Sequence, residues 1–189
     1  MESTKKPAKI ETLLPEIDLI GNHEWRTTVC DIWKEAYGES HWENISDAVF
    51  SSETPGFDLI SHTRAVTCIA LKIAEEAERF LGIHCDNDTI VVLCLLHDVC
   101  KLVENDPKHD NPAIPEKSPL GKIYQHGFMS GYYAQKRGLP ERIVADLVAH
   151  SGKSKMIPAT HEGLCMYYAD VAVADHVFLK AGHKLILSK

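Results

Sequence analysis

The chain has 189 residues, 44% of them hydrophobic, and a formal net charge of −7. That is enough for one domain with a real core and too little for two comfortable ones. The acidic balance argues against a binder of nucleic-acid polymers or membrane surfaces, which need a basic face, and leaves room for a small anionic substrate.

No apolar stretch approaches the length of a membrane-spanning helix, and the lysine-containing start lacks the apolar core of a signal peptide. Cys30, Cys68, Cys85, Cys94, Cys100 and Cys165 show no paired C-x-x-C spacing. Several fall in apolar helical runs, where thiols act as small hydrophobes. Neither a disulfide framework nor a thiolate zinc site is expected, and the expected compartment is the cytoplasm.

In chain order, residues 1–15 are polar, lysine-bearing and proline-ended, and predict a flexible tail before a single domain over 16–189. Helical spacing of Val29, Ile32, Trp33 and Ala36 predicts a helix over 25–37. Pro55 and Gly56 break the chain, and a long helix follows over 59–80, with Val66, Ile69, Ala70, Ile73, Ala74 and Ala77 at helical intervals. After a turn at 82–88, Asn87 or Asp88 is placed to cap a helix that is apolar on every side and ends in His97-Asp98.

Residues 104–121 carry four prolines, which predicts a loop beside the site that could act as a lid. Helices are then predicted over 122–136, 141–150 and 161–179, separated by breaks at 138–140 and 151–158. With no convincing strand set, the fold class is all-α, a helical bundle with its chemistry between helices over about 59–178.

The His97-Asp98 pair is the informative point. A carboxylate at the end of an apolar helix costs several kcal/mol unless it is paired. Neighbouring helical residues diverge by about 100°, so the two side chains can reach two sides of a metal centre. Other buried-looking polar residues join them: His62 near the start of the long helix, His126, His150 and Asp170. A lone histidine among apolar residues is ordinarily a hydrogen-bonded core residue, but here every member would need its own explanation. Six nitrogen and oxygen donors on separate helices suit one or two divalent ions. His161, nine residues before Asp170, is an alternative to His150. His23, His41, His84, His109 and His183 lie in polar surroundings and read as surface histidines, and Asp175 faces another side of the last helix from Asp170.

The order His62, His97-Asp98, His126, His150, Asp170, with Lys101 three residues past Asp98, resembles the HD superfamily of metal-dependent phosphohydrolases. The resemblance covers about 62–170. It implies that His62, His97, Asp98 and Asp170 are the core ligands. It implies further that His126 and His150 are the extra histidines of the dinuclear branch, with Asp98 bridging two ions (iron, manganese, magnesium, zinc, nickel or cobalt). Cys100 stands where glycine is common before the lysine, Ser151 follows His150 where the cyclic-dinucleotide branch favours histidine, and that branch's Gly-Tyr-Pro is absent. The resemblance therefore points away from a cyclic-dinucleotide enzyme.

The expected activity is a phosphomonoesterase or phosphodiesterase acting on a nucleotide-like or small organic phosphate through metal-activated water. Asp98 and Lys101 are the expected catalytic residues. Lys101, Arg64 and Lys153 are candidates for substrate phosphate, with Lys117 and Lys122 further along the loop. The alternatives are a di-iron oxygenase on the same scaffold, cleaving a C–H bond of a small polar substrate, and a non-catalytic HD module. The sequence carries no sign of oligomeric state.

Overall fold

The computed structural model describes residues 5, 7–111, 114–151 and 154–186. Its elements are the helices α1 (Ile10–Leu13), α2 (His23–Glu39), α3 (Leu59–Leu81), α4 (Asn87–Leu96), α5 (Lys101–Glu104), α6 (His126–Lys136), α7 (Glu141–Ala149) and α8 (His161–Lys180), with 3₁₀ turns at Pro15–Leu19 and Ile45–Asp47. A single small hairpin of β1 (Asn105–Pro107) and β2 (Pro115–Lys117) interrupts an all-α bundle.

The bundle is organised around α4. Every residue from Thr89 to Cys100 is buried, and α4 packs against α2, α3, α7 and α8. At roughly 1.5–3 kcal/mol per fully buried large aliphatic side chain, its Ile-Val-Val-Leu run supplies a large share of the core's stability. The indole Nε1 of Trp33 on α2 donates to the Leu95 carbonyl at 2.8 Å, fixing the end of α4 that carries the polar pair.

Caps set the helix limits. Asp58 accepts from the Ser61 N–H at 2.7 Å and starts α3, while Gly82, at φ 66°, ends it in the left-handed conformation that only glycine enters freely. α4 is capped by Asp86, which accepts from the Thr89 N–H, and not by Asn87 or Asp88. The Asp88 carboxylate instead accepts from the N–H groups of Gly21 and Asn22, both at 2.8 Å, tying the N-terminal segment to the bundle. Thr160 caps α8 through the Gly163 N–H. A Cβ at Gly163 would collide with the Asp146 carboxylate of α7, so glycine is required for the two helices to meet.

Two expectations are corrected. The tail expected over 1–15 gives way at Ile10: Ile10, Leu14, Ile17 and Ile20 are buried in the core, because their three-to-four-residue spacing gives even these short turns one apolar face. The expected irregular 104–121 loop contains the hairpin, in which Asn105 pairs with Lys117 and Pro107 with Pro115. Pro107 and Pro115 sit at the ends of the two strands, where a missing N–H leaves the short ladder intact. Turns hydrogen-bonded to Ser118 and Leu120 then occupy 119–124, so α6 starts at His126 rather than near 122. Among the described residues, no helix is long and apolar enough to cross a membrane.

Candidate metal centre

Helix ends deliver most of the polar cluster. His62 is the fourth residue of α3, His97 and Asp98 follow directly on α4, His126 opens α6, His150 follows α7, and Asp170 lies midway along α8. The structure brings all six together, in two groups that share one carboxylate. His62, His97, Asp98 and Asp170 form one group that could hold a metal ion, and Asp98, His126 and His150 form a second, each with donor atoms within 4.8 Å of one another.

Asp98 turns one oxygen to each group. Its Oδ2 lies 3.4 Å from His62 Nε2 and 3.7 Å from His97 Nε2, and its Oδ1 lies 3.2 Å from His126 Nε2 and 3.7 Å from His150 Nε2. Asp170 Oδ1 completes the first group at 3.1 Å from His62 and 3.7 Å from His97.

The ring orientations follow from the partners on the far nitrogens. His97 Nδ1 lies 2.7 Å from the Cys94 carbonyl and His150 Nδ1 lies 2.6 Å from the Leu147 carbonyl. A carbonyl only accepts, so Nδ1 carries the proton in both rings and Nε2 presents a lone pair to the centre. His126 Nδ1 faces Glu104 Oε1 at 3.4 Å. The His62 ring is stacked on Phe50, 4.3 Å between centroids and 8° from parallel.

These donors fit a cation. They are nitrogen and oxygen atoms without a thiolate, as divalent ions of borderline to hard character prefer. The Nε2 of His150 is buried and has no hydrogen-bond partner. A buried acceptor left alone costs about 1–3 kcal/mol, a deficit that a cation would remove.

The buried charges of the cluster act strongly on one another. Burial alone would raise the Asp98 carboxyl, but Lys101, His97 and His126 hold it well below the usual carboxylate range. Asp170 is lowered in the same way, chiefly by His62 and His97 against the same burial penalty. Burial disfavours a charged His62, yet the hydrogen bonds and charges of Asp170 and Asp98 outweigh it and raise the imidazole to about 9. Burial and the Lys101 charge push His126 down to about 4.

A cavity of about 400 Å³ opens on both groups, with Lys101, Glu104, Lys117, His126, His150 and Asp170 in its wall. Lys101 and Lys117 both reach Glu104 Oε2, at 3.3 and 2.9 Å. Burial lowers the Lys101 ammonium's tendency to stay charged, but Asp98 and Glu104 reverse that and raise it. A larger cavity of about 690 Å³, between 41–58 and 107–109, holds none of the clustered donors.

Other candidates lie elsewhere. Arg64 is exposed, pairs with Glu16 at 2.8 Å and does not line the cavity. It follows His62 by two residues, and a helix carries that position about 200° around to the outer face. His161 is exposed at the start of α8, so His150 is the histidine in the cluster. Lys122 is exposed on the turn before α6. Lys153 lies outside the described residues. Glu104 was not among the candidates, although its spacing from Lys101 is that of a helical ion pair.

A family model described as HD domain matches residues 59–175. The chain belongs to the HD-domain family. The matched span of this HD-domain protein runs from α3 to α8 and contains all six clustered residues. HD domains bind divalent metals, which agrees with a cluster that could hold them.

The protein is 30% identical over 115 residues to a dihydroneopterin 2',3'-cyclic phosphate phosphodiesterase of Methanocaldococcus jannaschii, across 60% of this chain and 45% of that relative. The alignment thus spans less than half the length of that curated relative. No solved structure gives a significant match.

Proposed function

We propose that this HD-domain protein is a dinuclear metal-dependent phosphodiesterase acting on a small, nucleotide-like organic phosphate. The observation that carries the reading is the Asp98 carboxylate, with one oxygen toward each of two donor groups. His62, His97 and Asp170 would hold one ion, His126 and His150 the other, and Asp98 would serve both. When bound, such ions supply Lewis-acid polarisation of phosphoryl oxygens and acidify water near neutral pH.

The chain's own residues do the rest. Lys101 and Lys117, in the cavity wall beside the second group, offer two cations to the non-bridging phosphoryl oxygens, where charge builds as the ester bond breaks. The fixed Nδ1 donors of His97 and His150 keep both rings from turning when an anion enters. The name of the relative favours a diester over a monoester. Hydrolysis then inserts one water across one P–O ester bond, giving a monoester and an alcohol. The free cysteines are consistent with a cytoplasmic setting.

The test is a panel of a 2',3'-cyclic nucleotide, bis(p-nitrophenyl) phosphate and p-nitrophenyl phosphate, assayed with manganese(II), cobalt(II) and iron(II). Turnover of the diesters ahead of the monoester, lost with a chelator and restored by metal, is the expected result. No hydrolysis on any substrate, together with two irons per chain and oxygen uptake, would replace the proposal with the di-iron oxygenase reading.

A further inference from the structure

The four rings of the centre are fixed in different ways, and one of them depends on a distant side chain. His97 and His150 each donate from Nδ1 to the carbonyl three residues back, Cys94 and Leu147, within the helix they terminate. His62 is held by its stack on Phe50. His126 is the first residue of α6, so no preceding helical turn offers it such a carbonyl. Its Nδ1 faces the carboxylate of Glu104 instead.

Glu104 is built to stay where it is. It is 4% exposed and ends α5, next to the hairpin. Its backbone carbonyl accepts from the Ser118 N–H at 3.1 Å. The chain returning from the hairpin lies so close that a Cβ at Gly121 would collide with that carbonyl. Its Oε2 is engaged by Lys117 at 2.9 Å and Lys101 at 3.3 Å, which leaves Oε1 for His126. Glu104 itself belongs to neither donor group.

We infer that Glu104 is the positioning residue for the ion held by His126 and His150. By accepting from His126 Nδ1 it fixes the tautomer with the lone pair on Nε2, aims that nitrogen toward Asp98, and strengthens it as a donor. The ion held by His62, His97 and Asp170 does not depend on it, because the side-chain partners of Glu104 are His126, Lys101 and Lys117. The inference rests on the two-ion reading above.

Manganese(II) titration by calorimetry, on the full chain, separates the two. The wild type is expected to bind two equivalents, and a wild type that binds only one overturns the two-ion reading and this inference with it. In Glu104→Ala one equivalent should keep its affinity while the other weakens roughly 10–100-fold, the usual effect of losing such a partner. Glu104→Gln keeps an acceptor without the charge and should fall between the two, which guards against a folding failure of the alanine variant.

His126→Ala should remove the same equivalent, and adding Glu104→Ala to it should cost nothing more. On the zinc-loaded protein, ¹⁵N NMR should show His126 protonated at Nδ1 in the wild type and a loss of that fixed tautomer in Glu104→Ala. Two unchanged equivalents, equal weakening of both, or additive losses with His126→Ala would each overturn the role assigned to Glu104.

Discussion

The two donor groups share Asp98 but are built differently. In the first group His62 and His97 are at most 4% exposed, Asp170 reaches the cavity with its side chain 18% exposed, and the side chains come from α3, α8 and the end of α4, elements that pack directly on one another. The second group sits at a helix start and a helix end, with the His126 side chain 15% exposed to the cavity. One of its rings leans on Glu104 and thereby on the hairpin. A site made by three mutually packed helices is arranged by the core itself. A site made by helix termini and a hairpin needs extra polar partners, such as Glu104 for His126. The first group is therefore expected to hold its ion more tightly, while both groups meet the cavity, the first through Asp170 and the second through His126 and His150.

The largest effect should come from the residue the two groups share. Asp98→Ala is expected to reduce metal content to below one ion per chain and diester turnover by about 10³-fold or more. Elemental analysis and the phosphodiester assay read both. Two ions retained in Asp98→Ala would mean that the groups are independent and that the shared carboxylate bridges nothing.

A smaller effect separates the metal-free from the loaded protein by pH. The His62 imidazole is raised from 6.5 to about 9 when no ion is present. A raised histidine stabilises the fold fully below pH 6.5, and the contribution is lost as pH climbs through about 9. Ion binding has the opposite slope, since the proton must leave Nε2 before that nitrogen can serve as a donor. Affinity should rise up to ~10-fold per pH unit over this window.

Melting curves with and without manganese(II), taken anaerobically between pH 6.5 and 8.5, should therefore diverge. Ion at about 100 times its Kd adds ~2.7 kcal/mol, roughly 5–10 °C for a domain of this size. A constant gap would show that His62 carries no proton in the metal-free centre.

The contrast between the groups also decides what could be read from the sequence. α4 is legible because an unbroken apolar run has only one place to go, and the polar pair at its end then demands partners. His62, His126, His150 and Asp170 stand out because each sits in or beside such a helical run. Glu104 does not. A carboxylate at the edge of a proline-rich segment looks like a solvated charge, and its meaning comes from Lys117 and from His126, 22 residues away.

The hairpin was hidden for a related reason: its prolines argue against strands until the register places them at the strand ends. Asn87 and Asp88 read as the cap candidates, but the Thr89 N–H selects Asp86, and Asp88 is taken by Gly21 and Asn22.

The smallest expected effect tests where the boundary of the site lies. Arg64 is two residues from His62 in sequence and on the opposite face of α3, where its guanidinium meets Glu16 at 2.8 Å. The arginine side chain is 47% exposed but Glu16 only 9%, so losing the pair costs roughly 1–3 kcal/mol, part of it the carboxylate left without a partner. Arg64→Ala should therefore lower the melting temperature by ~2–10 °C and leave KM, kcat and both metal affinities unchanged, the smallest effect on function. A rise in KM with kcat intact would mean that an anionic substrate reaches around α3 to this guanidinium. In that case the site would extend past the cavity that Lys101 and Lys117 line, and the outer face of α3 would take part in substrate binding.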